Sequence, residues 1–209
     1  MNSTLLRYGG DEETANRLAV AHAAQLRRLD GVLDAIPAAT TTLVLHQPGV
    51  ALPGPAELPA AEPGARVVVP MRYDEALEPR LRALHLNARY RVAFIGFAPG
   101  FPYLVGLPPE LHRPRLATPR ARVPAGSVAV AAQYCGIYPA ELPGGWSIIG
   151  RTGLRLFDAG KSPPALLAPG DEVIFEEGDA TRETPAPVAS PVPVAFTAPS
   201  ISIQGGPRF

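Results

Sequence analysis

Proline is the residue type that limits the folds open to this chain. The chain contains 26 prolines among its 209 residues, about twice the usual share. A proline inside a helix removes a backbone hydrogen bond and clashes with the preceding turn. After Tyr90 the prolines and glycines separate short apolar runs. These features exclude an all-helical protein and favour short strands joined by tight turns.

The first ninety residues mix helical and strand patterns. Apolar residues recur every three or four positions from Ala15 to Leu29, behind an acidic turn, which predicts an amphipathic helix. A second helix is predicted over residues 75–86, with Pro79 in its first turn. Strands are predicted at residues 4–8 (an edge strand), 32–36, 40–46 and 66–70, with a loop at 49–64. We therefore expect a small N-terminal α+β domain over residues 1–88.

The remainder of the chain has the pattern of a compact all-β domain. Short β-like runs bounded by Pro and Gly lie at residues 92–97, 127–132, 147–149, 154–157 and 172–176. They predict a barrel or a sandwich over residues 89–178. Residues 179–209 are a proline-rich linker and a tail that either binds a partner or is disordered.

Charge and cysteine content narrow the class of protein. Nineteen basic and nineteen acidic residues cancel, so no long-range field attracts nucleic acid or an anionic membrane. No apolar run is long enough to span a membrane and no secretory signal begins the chain. We predict a cytoplasmic protein. The one cysteine, Cys135, cannot form an internal disulfide; pairing with His85 or His112 is conceivable, but a small buried side chain is the better interpretation.

Two loops dense in Gly and Pro are the candidate site, residues 97–103 (FAPGFPY) and 136–146 (GIYPAELPGGW). Such loops are rigid and expose peptide groups. The alternative interpretation is tight turns whose aromatic residues fill the core. The candidate binding residues in these loops are Pro99, Gly100, Phe101, Tyr103, Tyr138, Gly144, Gly145 and Trp146.

Arginines flank these loops and suit a carboxylate or an acyl phosphate. They are Arg113, Arg115, Arg120, Arg122 and Arg151. The alternative is that most are solvated or paired within the chain; Arg151, between two small residues, is the strongest exception. The scattered histidines predict no zinc site, and no phosphate-binding glycine loop with Lys is present. If ATP is used, we expect another chain to bind it.

Several ordered motifs carry a family resemblance. Residues 94–104 (FIGFAPGFPYL), 123–128 (VPAGSV), 136–139 (GIYP), 143–146 (PGGW), 149–152 (IGRT) and 169–173 (PGDEV) resemble the family of the B component of bacterial 5-oxoprolinase. This family is also called allophanate hydrolase subunit 1 or KipI. The resemblance is strong over residues 90–175 and implies a cyclophilin-like β-barrel after the N-terminal α+β domain.

The resemblance also implies an activity and partners. In this family the B component works in a heteromer with the A and C components, the latter also called allophanate hydrolase subunit 2. Together they open 5-oxoproline, a small cyclic amide, to glutamate at the expense of ATP. Related domains form the carboxyltransferase part of biotin-dependent urea carboxylase, and a KipI-type member inhibits a histidine kinase. These remain the alternative functions.

The residues can be given roles on this basis. We expect Arg120, Arg122 and Arg151 to act as the catalytic residues that hold anionic groups, and N–H groups near Gly100 and Gly144 to stabilise an oxyanion. Tyr134 joins the substrate-binding set, because Tyr134-Cys135 replaces a glutamine and threonine found in the family. Residues 201–209 faintly resemble the opening strand of the C component, so this tail either adds a strand to a companion chain or is disordered.

Overall fold

The computed structural model describes residues 1–55 and 64–178, together with the backbone of two short strands farther along the chain. The strands are β1 Asn2–Tyr8, β2 Val32–Pro37, β3 Thr41–His46, β4 Ala65–Tyr73, β5 Tyr90–Ile95, β6 Pro102–Val105, β7 Arg120–Val123, β8 Ser127–Ala131, β9 Tyr134–Ile137, β10 Leu142–Gly144, β11 Ser147–Arg151, β12 Glu172–Glu177, β13 Val188–Ala189 and β14 Ile201–Gln204. The helices are α1 Glu12–Leu26 and α2 Pro79–Asn87, with a 3-10 turn at Pro109–Leu111.

The chain forms two compact units. The N-terminal unit comprises Met1–Pro63 and Pro191–Phe209, and the barrel unit comprises Gly64–Ser190. The predicted boundary after residue 88 therefore lies too late in the chain. The reason is that β4 forms part of the barrel wall and α2 contacts β12.

One helix covers one sheet in the N-terminal unit. The sheet is antiparallel, in the order β14-β1-β3-β2. Helix α1 begins at Asp11, whose carboxylate accepts the N–H of Thr14 at 2.8 Å. Its apolar face buries Leu18 and Leu26 with Val44 of β3. The predicted helix is confirmed, although it ends at Leu26.

Two strand predictions need correction. Residues 4–8 are not an edge strand, because β1 pairs with β3 on one side and with β14 on the other. The tail strand thus pairs within its own chain. Residues 154–157 form no strand and make a single bridge, between Phe157 and Ala165. Half of the predicted loop at residues 49–64, and most of the predicted linker and tail at residues 179–209, lie outside the described residues.

Seven strands close a barrel in the second unit. Their order is β4-β12-β5-β6-β9-β8-β11, and β11 returns to β4 through the pairs Gly150–Tyr73 and Arg151–Arg72. The pair β12–β4 is parallel and the others are antiparallel. The expected cyclophilin-like barrel is confirmed. Strands β7 and β10 form a separate antiparallel ribbon.

The barrel interior is apolar apart from one buried polar cluster. Alternate residues of β8 and β9, among them Val128, Val130 and Ile137, belong to this core. Helix α2 adds His85, which is fully buried beside Phe175 and Tyr90. Neither helix among the described residues has the length and apolar character needed to cross a membrane.

Candidate functional site

The outer face of the barrel wall carries a group of aromatic side chains. On β8, Val128 and Val130 belong to the interior, so the small residues Ala129 and Ala131 lie on the outer face. Small outward residues leave room for large rings. This space is filled by a set of rings that we call the aromatic cluster: Phe94, Phe101, Tyr103, Tyr134, Tyr138 and Trp146.

The rings of the aromatic cluster contact one another edge to face or stacked. Phe101 is central, with ring centroids 5.1 Å from Tyr138 and 5.6 Å from Trp146, both nearly perpendicular. Phe94 stacks on Tyr103 at 4.4 Å, which follows from their cross-strand pairing between β5 and β6. Such geometries add to the stabilisation from burial. Phe101, Tyr138 and Trp146 are buried within the cluster, whereas its other three rings are half-buried. The cluster is therefore a second apolar core on the outer side of the barrel wall.

Glycines allow the rings to lie close to the backbone. A Cβ on Gly136 would meet both Phe101 and Trp146 at 2.9 Å. A Cβ on Gly144 would collide with the hydroxyl of Tyr138. These motif glycines therefore have a packing role, and the oxyanion role expected of Gly144 stays a prediction.

The loop before β6 presents Phe97 to solvent. Phe97 is 61% exposed and has φ of +66°, a conformation that a bulky residue adopts only at a cost. Its ring meets Phe101 edge to face at 5.5 Å. Gly100 turns the same loop with φ of +77° and packs against Leu156. Pro99, beside it, is exposed.

Residues 113–122, the arginine segment, are tied to the backbone next to the cluster. The N–H of Leu116 donates to the carbonyl of Gly145 at 2.7 Å. The guanidinium of Arg120 donates to the carbonyl of Trp146 at 3.0 Å. Of the three predicted catalytic arginines, Arg120 thus reaches the cluster directly, and Gly145 lies beneath the arginine segment.

The other two predicted catalytic arginines lie outside these contacts. Arg122 pairs with Glu141 at 3.3 Å, and both side chains are largely exposed. A surface pair of this kind is held weakly. Arg151 is exposed at the end of β11, opposite Ser127, which shares the outer face of β8 with Ala129. Because paired residues of neighbouring strands share a face, Arg151 also lies on the outer face of the wall. Its partner Ser127 is two residues from Ala129, which contacts the cluster.

The positive charges of the arginine segment affect the pKa values of two tyrosines in the aromatic cluster. Burial raises the pKa of Tyr103, and the positive charge of Arg115 opposes this rise. Burial likewise raises the pKa of Tyr138, with Tyr103 adding to it, while Arg115 and Arg120 oppose it. Both tyrosines remain neutral hydrogen-bonding groups at neutral pH.

Two further features belong to other parts of the barrel. Cys135 is fully buried, as predicted, and its Sγ lies 3.6 Å from Nε2 of His85 in the interior. A cavity of about 170 Å³ is lined by Asp74, Leu77, Leu111, Arg113 and Ile149, among others. Within residues 1–55 and 64–178, no His, Cys, Asp and Glu side chains gather in threes where a metal could bind.

Sequence reasoning missed three residues of this site. Phe94 and Phe97 lie inside the recognised motif yet received no role, and Arg115 received none beyond its charge. Strict alternation would place Phe94 on the same face as Val92, and the register shift between these two residues moves it to the outer face, so alternation did not predict its place. The positive φ of Phe97 and the position of Arg115 leave no trace in the sequence.

A closed seven-stranded barrel that follows a small α+β unit in the chain defines the cyclophilin-like class of fold. The chain belongs to the family described as carboxyltransferase domain, subdomain C and D, which matches residues 2–167. The resemblance to the B component of 5-oxoprolinase is likewise confirmed by curated relatives.

Two of these relatives are bacterial proteins named as the B component of 5-oxoprolinase. The protein of Escherichia coli O157:H7 is 52% identical over 98 residues, which cover 47% of this chain and 45% of the relative. That of Haemophilus influenzae is 48% identical over 104 residues, covering 50% and 49%. The matched region spans about half the length of the curated relatives.

Solved structures agree with the fold. The crystal structure of TTHA0988 superposes with a TM-score of 0.74 at 39% identity, covering 85% of this chain and 40% of that one. The uncharacterized protein PH0987 of Pyrococcus horikoshii has a TM-score of 0.50 at 31% identity, covering 86% and 95%. Kluyveromyces lactis urea carboxylase, at 15% identity and a TM-score of 0.63, covers 97% and 23% and shows the shared fold alone.

Proposed function

We propose that this chain is a cytoplasmic, non-autonomous subunit of an ATP-dependent 5-oxoprolinase. It acts with companion chains that resemble the A and C components of that enzyme to open 5-oxoproline to glutamate. The observation that carries the proposal is the 52% identity to a protein named as the B component of 5-oxoprolinase. The outer-wall site adds chemical support, since the exposed ring of Phe97 lies at the edge of the aromatic cluster and the guanidinium of Arg120 is bonded to the carbonyl of Trp146.

The reaction needs activation because the lactam is an unstrained, resonance-stabilised amide. Transfer of a phosphoryl group from ATP to the carbonyl oxygen makes the carbon electrophilic and releases ADP. Water then adds, the C–N bond breaks as the nitrogen takes a proton, and a second water releases phosphate from the acyl phosphate. Donors aimed at the developing charge stabilise each addition. ATP is bound by a companion chain in this proposal.

This chain supplies binding and orientation in the proposed reaction. The exposed ring of Phe97 and the half-buried rings of Phe94 and Tyr103 contact the lactam ring in this proposal and exclude water from it. Arg120 and Arg151 hold the anionic groups of substrate and phosphoryl group. Arg122 contributes less, because Glu141 already neutralises it.

The first test is reconstitution. This chain is mixed with the companion A and C components, ATP and 5-oxoproline, and each protein is omitted in turn. We expect glutamate formation in the complete mixture and none without this chain. Failure of the complete, folded mixture would favour the alternative of a biotin-dependent carboxyltransferase component, which the same mixture can be assayed for with urea and a biotin carrier.

The second test concerns the anion-holding role. Arg151→Ala should lower reconstituted activity at least tenfold, because a charge-assisted hydrogen bond contributes about 1.5–3 kcal/mol. Arg80→Ala, an exposed substitution on α2 with the same change in charge, serves as the control. If Arg151→Ala is folded and as active as the control, Arg151 does not hold the anion.

A further inference from the structure

A cavity of about 170 Å³ lies at one end of the barrel, where β4 and β8 end and β11 begins. Its lining includes four apolar residues that belong to the barrel-interior core or pack against it: Leu77, Leu111, Val130 and Ile149. The exposed residues Asp74 and Ala76 also line it, so the cavity reaches the surface. It is therefore a pocket with an apolar floor at the mouth of a barrel, a place where proteins bind small ligands.

The cavity is also lined by Arg113, whose guanidinium is already held in place. Its Nη1 donates to the carbonyls of Glu110 and His112 at 2.9 and 3.0 Å. The carbonyl of Arg113 accepts the N–H of Ala132 at 2.7 Å, which fixes the backbone. The Nε–Nη2 edge makes no hydrogen bond within the described part of the chain. This edge has the geometry that binds a carboxylate through two parallel hydrogen bonds.

A carboxylate lines the same cavity. Oδ1 of Asp74 accepts the N–H of Ala76 at 3.0 Å, and the N–H of Asp74 donates to the carbonyl of Ile149 at 2.9 Å. Among the described residues, neither Asp74 nor Arg113 forms an ion pair. One cavity thus has a negative and a positive side chain that do not neutralise each other. A ligand with both charges satisfies both groups, whereas a ligand with one charge leaves one of them unpaired.

We propose that this cavity binds a free aliphatic α-amino acid. The ligand side chain lies on the apolar floor, its carboxylate pairs with Arg113 and its ammonium group pairs with Asp74. Because an apolar cavity of about 150 Å³ holds a molecule of the size of benzene, a branched side chain of about four carbons fits here. The proposal does not depend on the 5-oxoprolinase assignment.

Three probes separate the side chain of the ligand from its two charges. They are L-leucine, 4-methylpentanoate, which lacks the ammonium group, and 3-methylbutylamine, which lacks the carboxylate. Isothermal titration calorimetry on the full chain near neutral pH measures the binding of each probe. We expect L-leucine to bind more tightly than the other two, since it alone pairs with both charged side chains.

Two substitutions assign the charges. Asp74→Asn should bind L-leucine and 3-methylbutylamine about 10- to 100-fold more weakly than wild type, without weaker binding of 4-methylpentanoate. Arg113→Lys keeps the charge but loses the bidentate edge, so it should weaken L-leucine and 4-methylpentanoate and leave 3-methylbutylamine unchanged. Glu75→Gln, next in the chain to Asp74 but outside the cavity lining, is the control and should behave as wild type. Ala76→Phe places a ring in the cavity and should abolish the binding of all three probes.

Each contrary outcome overturns the proposal. Equal affinities of Asp74→Asn and Glu75→Gln for L-leucine would show that Asp74 does not hold the ammonium group. A wild type that binds no probe at millimolar concentration, or binding that survives in Ala76→Phe, would show that the cavity is not the site. Circular dichroism of each variant establishes that it is folded. These titrations use neither ATP nor companion chains, so their failure leaves the 5-oxoprolinase assignment to be decided by the reconstituted reaction.

Discussion

His85 is buried in the barrel interior, where its ring joins two other polar side chains. Nδ1 lies 2.9 Å from the hydroxyl of Tyr73, and Nε2 lies 3.6 Å from Sγ of Cys135. Burial lowers the pKa of His85 from 6.5 to about 3, and raises the pKa values of Tyr73 and Cys135. All three groups are therefore neutral at neutral pH. In each of the two contacts of the imidazole, one group donates a hydrogen and the other accepts it. All three side chains are thus hydrogen-bonded without any buried charge.

This burial predicts a pH-dependent stability. The contribution of His85 to stability is fully present above its unfolded pKa of 6.5. It is lost as the pH falls towards the folded pKa of about 3, because protonation then favours the unfolded state. The free energy of unfolding should therefore fall by up to about 1.4 kcal/mol per pH unit from this group. Urea unfolding at pH 7, 6 and 5 measures it.

The matched variant is His85→Gln, which cannot titrate. Its free energy of unfolding should be lower at pH 7 but should depend less on pH than that of wild type. The free energy of unfolding of the variant still depends on pH to some extent, because burial also lowers the pKa of His22. Equal slopes for wild type and variant would contradict a neutral, buried His85.

At the scale of elements, the seam between β11 and β4 decides whether the barrel closes. At Gly150, a Cβ would collide with the carbonyl of Arg72 and with Met71. The strand pair Gly150–Tyr73 is therefore possible only because position 150 has no side chain. Sequence alternation shows which residues of β11 face inward, but it does not reveal this close approach.

Gly150→Ala should destabilise the protein by about 1–3 kcal/mol, because a methyl group would force backbone and Met71 apart in a packed interior. Gly178→Ala is the control, since a Cβ there meets nothing within 4 Å. Denaturant unfolding of both variants gives the comparison. Similar stabilities would mean that the seam tolerates a side chain and that closure does not depend on Gly150.

At the scale of the whole molecule, all seven barrel strands and their apolar core lie between Ala65 and Glu177. We predict that residues 64–178 fold as an independent domain. The isolated fragment should show a cooperative thermal transition, followed by the fluorescence of Trp146. A fragment ending at residue 146, which keeps Trp146 but lacks β11 and β12, is the control and should not fold. A fragment 64–178 without cooperative unfolding would contradict the prediction.

Local sequence patterns were sufficient for much of the architecture. The periodicity from Ala15 onward predicted α1, and the proline and glycine punctuation after Tyr90 predicted a β-barrel or sandwich. Both follow from local rules, since a proline or a spacing of three and four acts within one turn of chain. The motif residues Phe101, Tyr103, Tyr138 and Trp146 lie together in the aromatic cluster, whereas their role in substrate binding stays a prediction.

Strand pairing, the boundary between the two units and the pairing of the arginines depend on contacts between residues that are far apart in the sequence. The parallel pairing of Val173 with Val67 brings β4 into the barrel, and this moves the unit boundary to residue 63. No local pattern records which strand is the neighbour of another. Likewise, the sequence presents several equivalent arginines, whereas the fold pairs Arg122 with Glu141 and joins Arg120 to the carbonyl of Trp146. Residue type and spacing thus determined the elements and the chemistry available, while tertiary packing decided which strands are neighbours and which charges are paired within the chain.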